Sequence, residues 1–178
     1  LPQAIKEPRK RCHIGVTPPK LQRIAANKTF YIDSVTLSKV DGSSLPDTWF
    51  DGCAIPFNAD LVAIIGNKGS GKSALADVLA LVGNSQQHAH FSFLKADRFR
   101  GKAGEPARQF EGKLDWLAGE PSKANLADNP ASDRVELVRY VPQGRFEALC
   151  NEHVSGRSEN FESELRSVIF SHIPAEER

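Results

Sequence analysis

The feature that most constrains this chain is a glycine-rich loop placed between an apolar run and a helical pattern. Residues 61–65 read Leu-Val-Ala-Ile-Ile, and residues 66–73 follow with the spacing G-x-x-x-x-G-K-S. This spacing, in a strand–loop–helix context, is typical of a Walker A phosphate-binding loop. Backbone N–H groups of such a loop form a concave anion site, and the positive end of the next helix dipole points at it. The sequence therefore predicts a binding site for a nucleoside triphosphate.

The residues of the loop have separate expected roles, and the predicted cofactors are ATP and Mg²⁺. Lys72 is predicted to place a point charge on the β- and γ-phosphates, which makes it a catalytic candidate. The hydroxyl of Ser73 is a candidate Mg²⁺ ligand. The other loop residues are expected to surround the phosphates: Gly66, Asn67, Lys68, Gly69, Ser70, Gly71 and Ala74.

Composition narrows the class of protein. The 178 residues suit one domain, and a formal net charge of +1 gives no global electrostatic argument for nucleic acid or a membrane surface. No apolar run approaches the ~20 residues that a membrane-spanning helix needs. The three cysteines are widely spaced and odd in number, which favours a reducing compartment, and we expect a cytoplasmic location. A chain that opens on Leu1 and holds no methionine is expected to be a piece of a longer or processed protein.

Apolar periodicity predicts the order of the elements. The basic, proline-rich residues 1–28 are expected to form a linker or arm, and residues 29–178 a single lobe. The segment after the loop carries apolar residues at helical spacing, which predicts a helix over 72–82 that stops at Gly83-Asn84. Strands are predicted at 29–40, 49–57, 61–65, 114–118 and 135–141, a loop at 119–133, and helical structure at 145–178.

A complete ATPase of this kind also needs an acidic strand to hold Mg²⁺ and orient water. No segment of this chain offers four apolar residues followed by an acidic one in a suitable place. We therefore expect the acidic strand to lie outside this chain, and the chain alone to be inactive as an ATPase.

The two early strands, the loop, and a later strand that ends in Tyr140-Val141-Pro142-Gln143 together resemble a known family. They are similar to the N-terminal lobe of ABC-type ATPases of the SMC and RecF kind. Within that class they resemble the ATPase half of TrlF-type proteins, which join a PHP-type phosphoesterase domain to an SMC-like ATPase. The resemblance covers about residues 29–170. It implies an α/β P-loop NTPase fold: a parallel core sheet with helices, plus an antiparallel β subdomain, as one lobe of an ABC/SMC-like head.

The resemblance also implies roles for residues outside the loop. Gln143 would be the Q-loop glutamine, a catalytic residue that contacts Mg²⁺ and the attacking water. Lys39, at the end of the first strand, would lie near the nucleotide. An arginine after the loop helix would reach the phosphates; Arg98 is the candidate, and Arg100 remains an alternative.

The implied partners follow from the same family. A missing C-terminal lobe would complete the head, and two heads would form a head-to-head homodimer around ATP. ATP hydrolysis would then control a nuclease or another nucleic-acid-processing activity, in DNA repair or antiviral defence. Two other classes stay open. A small P-loop kinase would need an arginine lid, for which residues 98–100 are the only hint, and a nucleotide-dependent scaffold would not hydrolyse ATP at all.

Two weaker patterns have ordinary explanations beside the functional ones. Cys12-His13 and Cys150-x-x-His153 could supply four zinc ligands, although nothing in the sequence brings the two pairs together. Three aromatic residues could stack on a base, but such residues more often pack in a core. They are Trp49, Phe50 and Trp116.

Overall fold

The computed structural model of the chain describes residues 5–8, 12–46, 48 and 50–142. This part forms a small α+β unit of two α-helices and a four-stranded sheet. In chain order the elements are α1 (Pro19–Ala26), β1 (Ile32–Lys39), β2 (Cys53–Pro56), α2 (Lys72–Val82), β3 (Phe110–Trp116) and β4 (Ser122–Asn125). Short 3₁₀ turns lie at Lys28–Phe30, His88–His90 and Pro106–Gln109.

The sheet is antiparallel throughout, with the strand order β2-β1-β3-β4. Alternation along the strands places one face toward the core. On β1 the buried side chains are Val35 and Leu37, and on β3 they are Phe110 and Leu114. The intervening residues Thr36, Glu111 and Lys113 are only partly buried, while Gly112 is buried on the same face as Phe110 and Leu114. This pattern is typical of an antiparallel sheet with one covered face, because side chains alternate between faces with a period of two.

Helix α2 packs on the buried face of the sheet. Its start at Lys72 and its end at Val82, just before Gly83, confirm the helix that the sequence predicts. The helix and the sheet approach closely at Gly112 of β3, where an added Cβ would lie 2.8 Å from Val82 Cγ2 and 2.9 Å from Val78 Cγ1. A glycine at this point of β3 therefore lets the helix lie close to the sheet.

The polar stretch between α2 and β3 contributes an aromatic part of the core. Phe91, Leu94 and Phe99 are buried, and the rings of Phe93 and Phe99 stack with centroids 4.6 Å apart. These residues belong to the same buried cluster as Val78 and Leu81 of α2 and Leu126 beyond β4. The sequence pattern of this stretch left its structure undecided, because its apolar residues follow neither period.

The predicted parallel core sheet is wrong for the described residues. Every ladder among them is antiparallel, and residues 61–65 belong to none of these. Leu61 and Ile65 are 86% and 88% exposed. A parallel strand is stable when neighbours bond to its edges and other layers cover both faces, and no described residue does either for this run.

The predicted strand at 135–141 is also absent. Its backbone bonds go to the end of α2 instead, since the amides of Leu137 and Val138 both donate to the carbonyl of Gly83 at 2.8 and 2.9 Å. The segment has no strand partner among the residues described. Its alternating apolar side chains Val135, Leu137 and Val141 are 77%, 53% and 44% exposed, so the alternation does not mark a covered strand face here.

The other element boundaries differ from the predictions in smaller ways. The expected strands at 29–40, 49–57 and 114–118 appear as β1, β2 and β3 with shifted ends. Helix α1 lies within the basic arm, and the Lys20 ammonium forms an ion pair with the Asp60 carboxylate. Strand β4 lies in the predicted loop 119–133, and its pairing with β3 outweighs the low strand propensity of Ser-Lys-Ala-Asn. The predicted helical region 145–178 lies outside the described residues.

Among the described residues, no helix has both the length and the apolar character needed to cross a membrane.

Candidate phosphate-binding site

The glycine-rich loop runs directly into the N-terminus of α2. Gly69 and Gly71 both have φ of +88°, in the left-handed region that side-chain-bearing residues rarely adopt. Gly71 is the residue before the first helical position, and its carbonyl accepts the amide of Leu75 at 2.9 Å. The first amides of the helix have no partners within the helix, so this end of α2 carries free donors and positive partial charge.

Lys72 turns its side chain back into the loop. Its ammonium donates to the carbonyl oxygens of Gly66 and Asn67, both at 2.7 Å. Residues 66–70 are exposed, and so is the Ser73 side chain on the first turn of α2. The loop therefore presents an accessible ammonium and hydroxyl at one end of a helix. Ala74, which the sequence places among the nucleotide-binding residues, has its side chain in the core.

Phe50 lies against the loop, a contact that the sequence analysis did not predict. An added Cβ on Gly71 would lie 2.8 Å from Phe50 Cζ. Phe50 itself has φ of +55°, which is uncommon for a bulky residue and indicates backbone strain. Any side chain at position 71 would displace this ring as well as strain the backbone.

Lys39, at the end of β1, bonds to Leu45 and Asp51 in the segment that carries Phe50. Its ammonium donates to the carbonyl of Leu45 at 2.9 Å and lies 3.7 Å from a carboxylate oxygen of Asp51. The other carboxylate oxygen of Asp51 accepts the Lys39 amide at 3.0 Å. Lys39 thus anchors the turn that carries Phe50 to the end of β1. These contacts give it a structural role, and its predicted contact with the nucleotide stays a prediction.

The two candidate arginines differ sharply in their surroundings. Arg98 is exposed. Arg100 is engaged with the turn after β4: it donates to the carbonyls of Leu126 and Asp128 and to the side chain of Asn129. Burial lowers the pKa of the Arg100 guanidinium, while Asp128 and Asp77 oppose that shift. Arg100 therefore stabilises the turn after β4. Of the two arginines proposed for a kinase lid, only Arg98 is exposed.

The middle of α2 carries a buried carboxylate, that of Asp77, which the sequence analysis did not identify. Asp77 is fully buried and accepts the backbone amides of Phe93 and Leu94 at 2.6 and 3.1 Å. Its other oxygen accepts the hydroxyl of Tyr140 at 3.2 Å. Burial, the charge of Asp77 and the hydrogen bond to Asp77 together raise the pKa of Tyr140 to about 12, with burial as the largest cause. Helical spacing places Asp77 on the side of α2 away from Leu75 and Val78, so the apolar pattern of the sequence gave no signal that it would be buried.

Polar side chains of Asn84 and Ser85, just after the end of α2, bind residues 131–142, which we call the tether segment. The Asn84 amide donates to the carbonyls of Ala131 and Arg134 at 3.0 and 2.9 Å, and its oxygen accepts the Ala131 amide at 2.7 Å. The buried Ser85 hydroxyl donates to Glu136 at 2.7 Å and accepts the Tyr140 amide at 3.2 Å. Helix α2 thus connects the glycine-rich loop at its first residue with the tether segment at its last.

The remaining predicted site residues are not brought together. Gln143, the expected Q-loop residue and metal ligand, lies outside the described residues, as do Cys150, His153 and Trp49. Within the described part no group of three or more His, Cys, Asp or Glu side chains could hold a metal. Trp116 is partly buried and donates through Nε1 to Ser122 at 3.1 Å, so it packs within the sheet.

Comparisons with protein-family models, curated proteins and solved structures gave no match to this chain.

Proposed function

We propose that the chain binds the phosphate groups of a nucleoside triphosphate, with ATP as the expected ligand, at residues 66–73. The observation that carries the proposal is one of placement. The complete loop motif ends where an 11-residue helix begins, and Lys72 directs its ammonium into that loop. Loop amides, an ammonium and a helix N-terminus are all suited to an anion.

The residues present fit the phosphates of ATP. A lysine ammonium has three N–H donors, and two of them go to the carbonyls of Gly66 and Asn67, so one remains to meet a phosphate oxygen. The amides of the loop and of the first turn of α2 would bind the other phosphate oxygens. Ser73, exposed on that turn, would supply a hydroxyl ligand to Mg²⁺. No acidic residue lies within 66–73 to repel the phosphates.

The proposal is limited to binding. Hydrolysis also needs a carboxylate that holds the metal and orients water. The wider expectations from the family resemblance stay predictions: an ATPase completed by another lobe, a head-to-head homodimer, and control of a nuclease or nucleic-acid-processing activity. The binding proposal depends on the loop and α2, and not on the parallel sheet.

A titration with a fluorescent ATP analogue in the presence of Mg²⁺ tests the proposal. Lys72→Ala removes a charge-assisted hydrogen bond, which is worth about 1.5–3 kcal/mol and corresponds to roughly a 10- to 150-fold rise in Kd. Unlabelled ATP should compete with the analogue, and AMP should compete much less, because the loop binds the terminal phosphates.

Lys28→Ala is the control. It removes the same charge from an exposed position outside the loop. Since exposed charges are screened, we expect Kd to change by less than about threefold. Equal affinities for the wild type and Lys72→Ala would contradict the proposed site, and so would equal losses in the two variants. Circular dichroism of both variants checks that the fold is retained.

A further inference from the structure

We propose that Tyr140 is a positioning residue whose hydroxyl, through Asp77 on α2, couples nucleotide binding at the loop to the tether segment. The inference rests on the proposed nucleotide site. It adds a second place in the molecule that would respond to the nucleotide, and it names the hydrogen bond through which the response passes.

The first step is the geometry of α2. Ser73 and Asp77 are four residues apart in one helix, so their side chains share a face and lie one turn from each other. The expected Mg²⁺ ligand and the buried carboxylate therefore belong to the same rigid element. A shift or rotation of α2 that improves contacts at its N-terminus moves Asp77 with it.

The second step is how tightly Asp77 is held. Its side chain is fully buried, and its three hydrogen bonds come from two amides, those of Phe93 and Leu94, and from the Tyr140 hydroxyl. The two amides belong to the packed aromatic stretch and fix the carboxylate. Tyr140 is therefore the partner that is able to move with the tether segment, and its hydroxyl is the side-chain contact between that segment and the middle of α2.

The third step is the setting of Tyr140 within the tether segment. Its ring packs edge-on against Phe91, with centroids 5.5 Å apart and planes at 88°, and its amide donates to the buried Ser85. Residues on either side are less covered, since Leu137 is 53% and Val141 44% exposed. Tyr140 is thus one of several anchored points of the tether segment, and it is the one whose side chain reaches Asp77. In the sequence, Gln143 follows it by three residues.

Hydrogen–deuterium exchange, measured with and without an ATP analogue and Mg²⁺, tests the coupling. In the wild type, the nucleotide should slow exchange of the amides that lie within 135–142, where Pro142 has none, by about threefold or more, because local opening of this segment becomes less favourable. Tyr140→Phe keeps the ring on Phe91 and removes only the hydroxyl. We expect this variant to lose the slowing at 135–142, to keep the slowing at 66–74, and to bind the analogue with a Kd within about twofold of the wild type.

Tyr31→Phe is the matched control, since Tyr31 is the only other tyrosine of the chain and lies next to β1. It should retain the wild-type response. Three results would overturn the coupling. One is slowing at 135–142 in Tyr140→Phe that equals the wild type, as expected if the hydroxyl only stabilises the fold. Another is unchanged amide exchange at 135–142 in a wild type that binds the nucleotide in the titration. This result would leave the proposed function intact. The third is a wild type that binds no nucleotide, which would refute both proposals.

Discussion

Replacing Gly112 with alanine should destabilise the chain, although a glycine in a strand is usually a weak point. Two effects oppose each other. Gly→Ala reduces the freedom of the unfolded chain, which by itself stabilises a protein by about 0.4–1 kcal/mol. The new Cβ, however, would lie 2.8 Å from Val82 Cγ2 and 2.9 Å from Val78 Cγ1, well inside van der Waals contact.

The clash should win because neither valine has an easy way to yield. Both side chains are buried on α2, and a valine in a helix has one strongly preferred rotamer. The helix itself must then move from the sheet, and overpacking of this kind costs about 1–3 kcal/mol. The midpoints of the two ranges give a net loss of unfolding free energy of about 1.3 kcal/mol, with an upper bound of about 2.6 kcal/mol, which for a chain of this size lowers Tm by a few degrees.

Urea unfolding followed by tryptophan fluorescence measures this loss, because Trp116 lies at the end of the same strand. Lys113→Ala is the control: it is the next residue on β3, its side chain points to the other face, and its ion pair with Asp115 is partly exposed. We expect its effect to stay within about 1 kcal/mol. A Gly112→Ala chain as stable as the wild type, or more stable, would refute the close packing of α2 on β3.

Two further predictions concern Tyr140, which contacts Asp77 on α2, and Arg100, which contacts the turn after β4. Tyr140 has its pKa raised to about 12 in the folded chain, so the folded state holds the phenolic proton more tightly than the unfolded state does. Its contribution to stability is complete below about pH 10, the ordinary tyrosine pKa, and is lost as the pH rises toward 12. In a Tyr31→Phe background the tyrosinate absorbance of Tyr140 should therefore rise at a distinctly higher pH in the folded chain than in the chain unfolded by urea, and coincident titrations would contradict the contact with Asp77. Arg100→Ala should lower the unfolding free energy by about 1–3 kcal/mol, since the carbonyls of Leu126 and Asp128 lose their donor, while exposed Arg98→Ala should change it by less than about 0.5 kcal/mol. Analogue titrations of the same pair distinguish this from a phosphate contact: a weaker Kd with unchanged stability in Arg100→Ala would contradict the structural role.

The helix that follows the loop was predictable because its signals are local. Apolar residues at helical spacing, a glycine before the first turn and Gly83-Asn84 after the last determine residues 72–82 without help from the rest of the chain. The same holds for the loop, where left-handed glycines and Lys72 stand at fixed positions in the motif. The alternation of apolar residues also predicted the strand β1, although the ends of the strand differ from the predicted 29–40.

Whether a run of residues forms a strand was not predictable in the same way, because a strand depends on a neighbouring strand that pairs with it. Residues 61–65 and 135–141 have strand-like composition, yet a strand forms only where a neighbour pairs with it, and neither run has one in the part that the structure describes. Strand β4 is the opposite case, since a polar sequence is drawn into the sheet by β3. Hydrogen bonds between strands join residues distant in sequence, so no local pattern determines which run obtains a partner.

The sequence by itself thus determined the glycine-rich loop motif, the helix behind it and the types of side chain around the loop, while phosphate binding at the loop stays a proposal. Only the tertiary structure decided that Phe50 lies on Gly71, that Arg100 holds a turn, and that Asp77 meets Tyr140 63 residues away. The reason is physical. A motif is read along the backbone over a few residues, whereas a buried carboxylate takes its partners from whatever donors folding brings within hydrogen-bonding distance, because leaving it without them is costly.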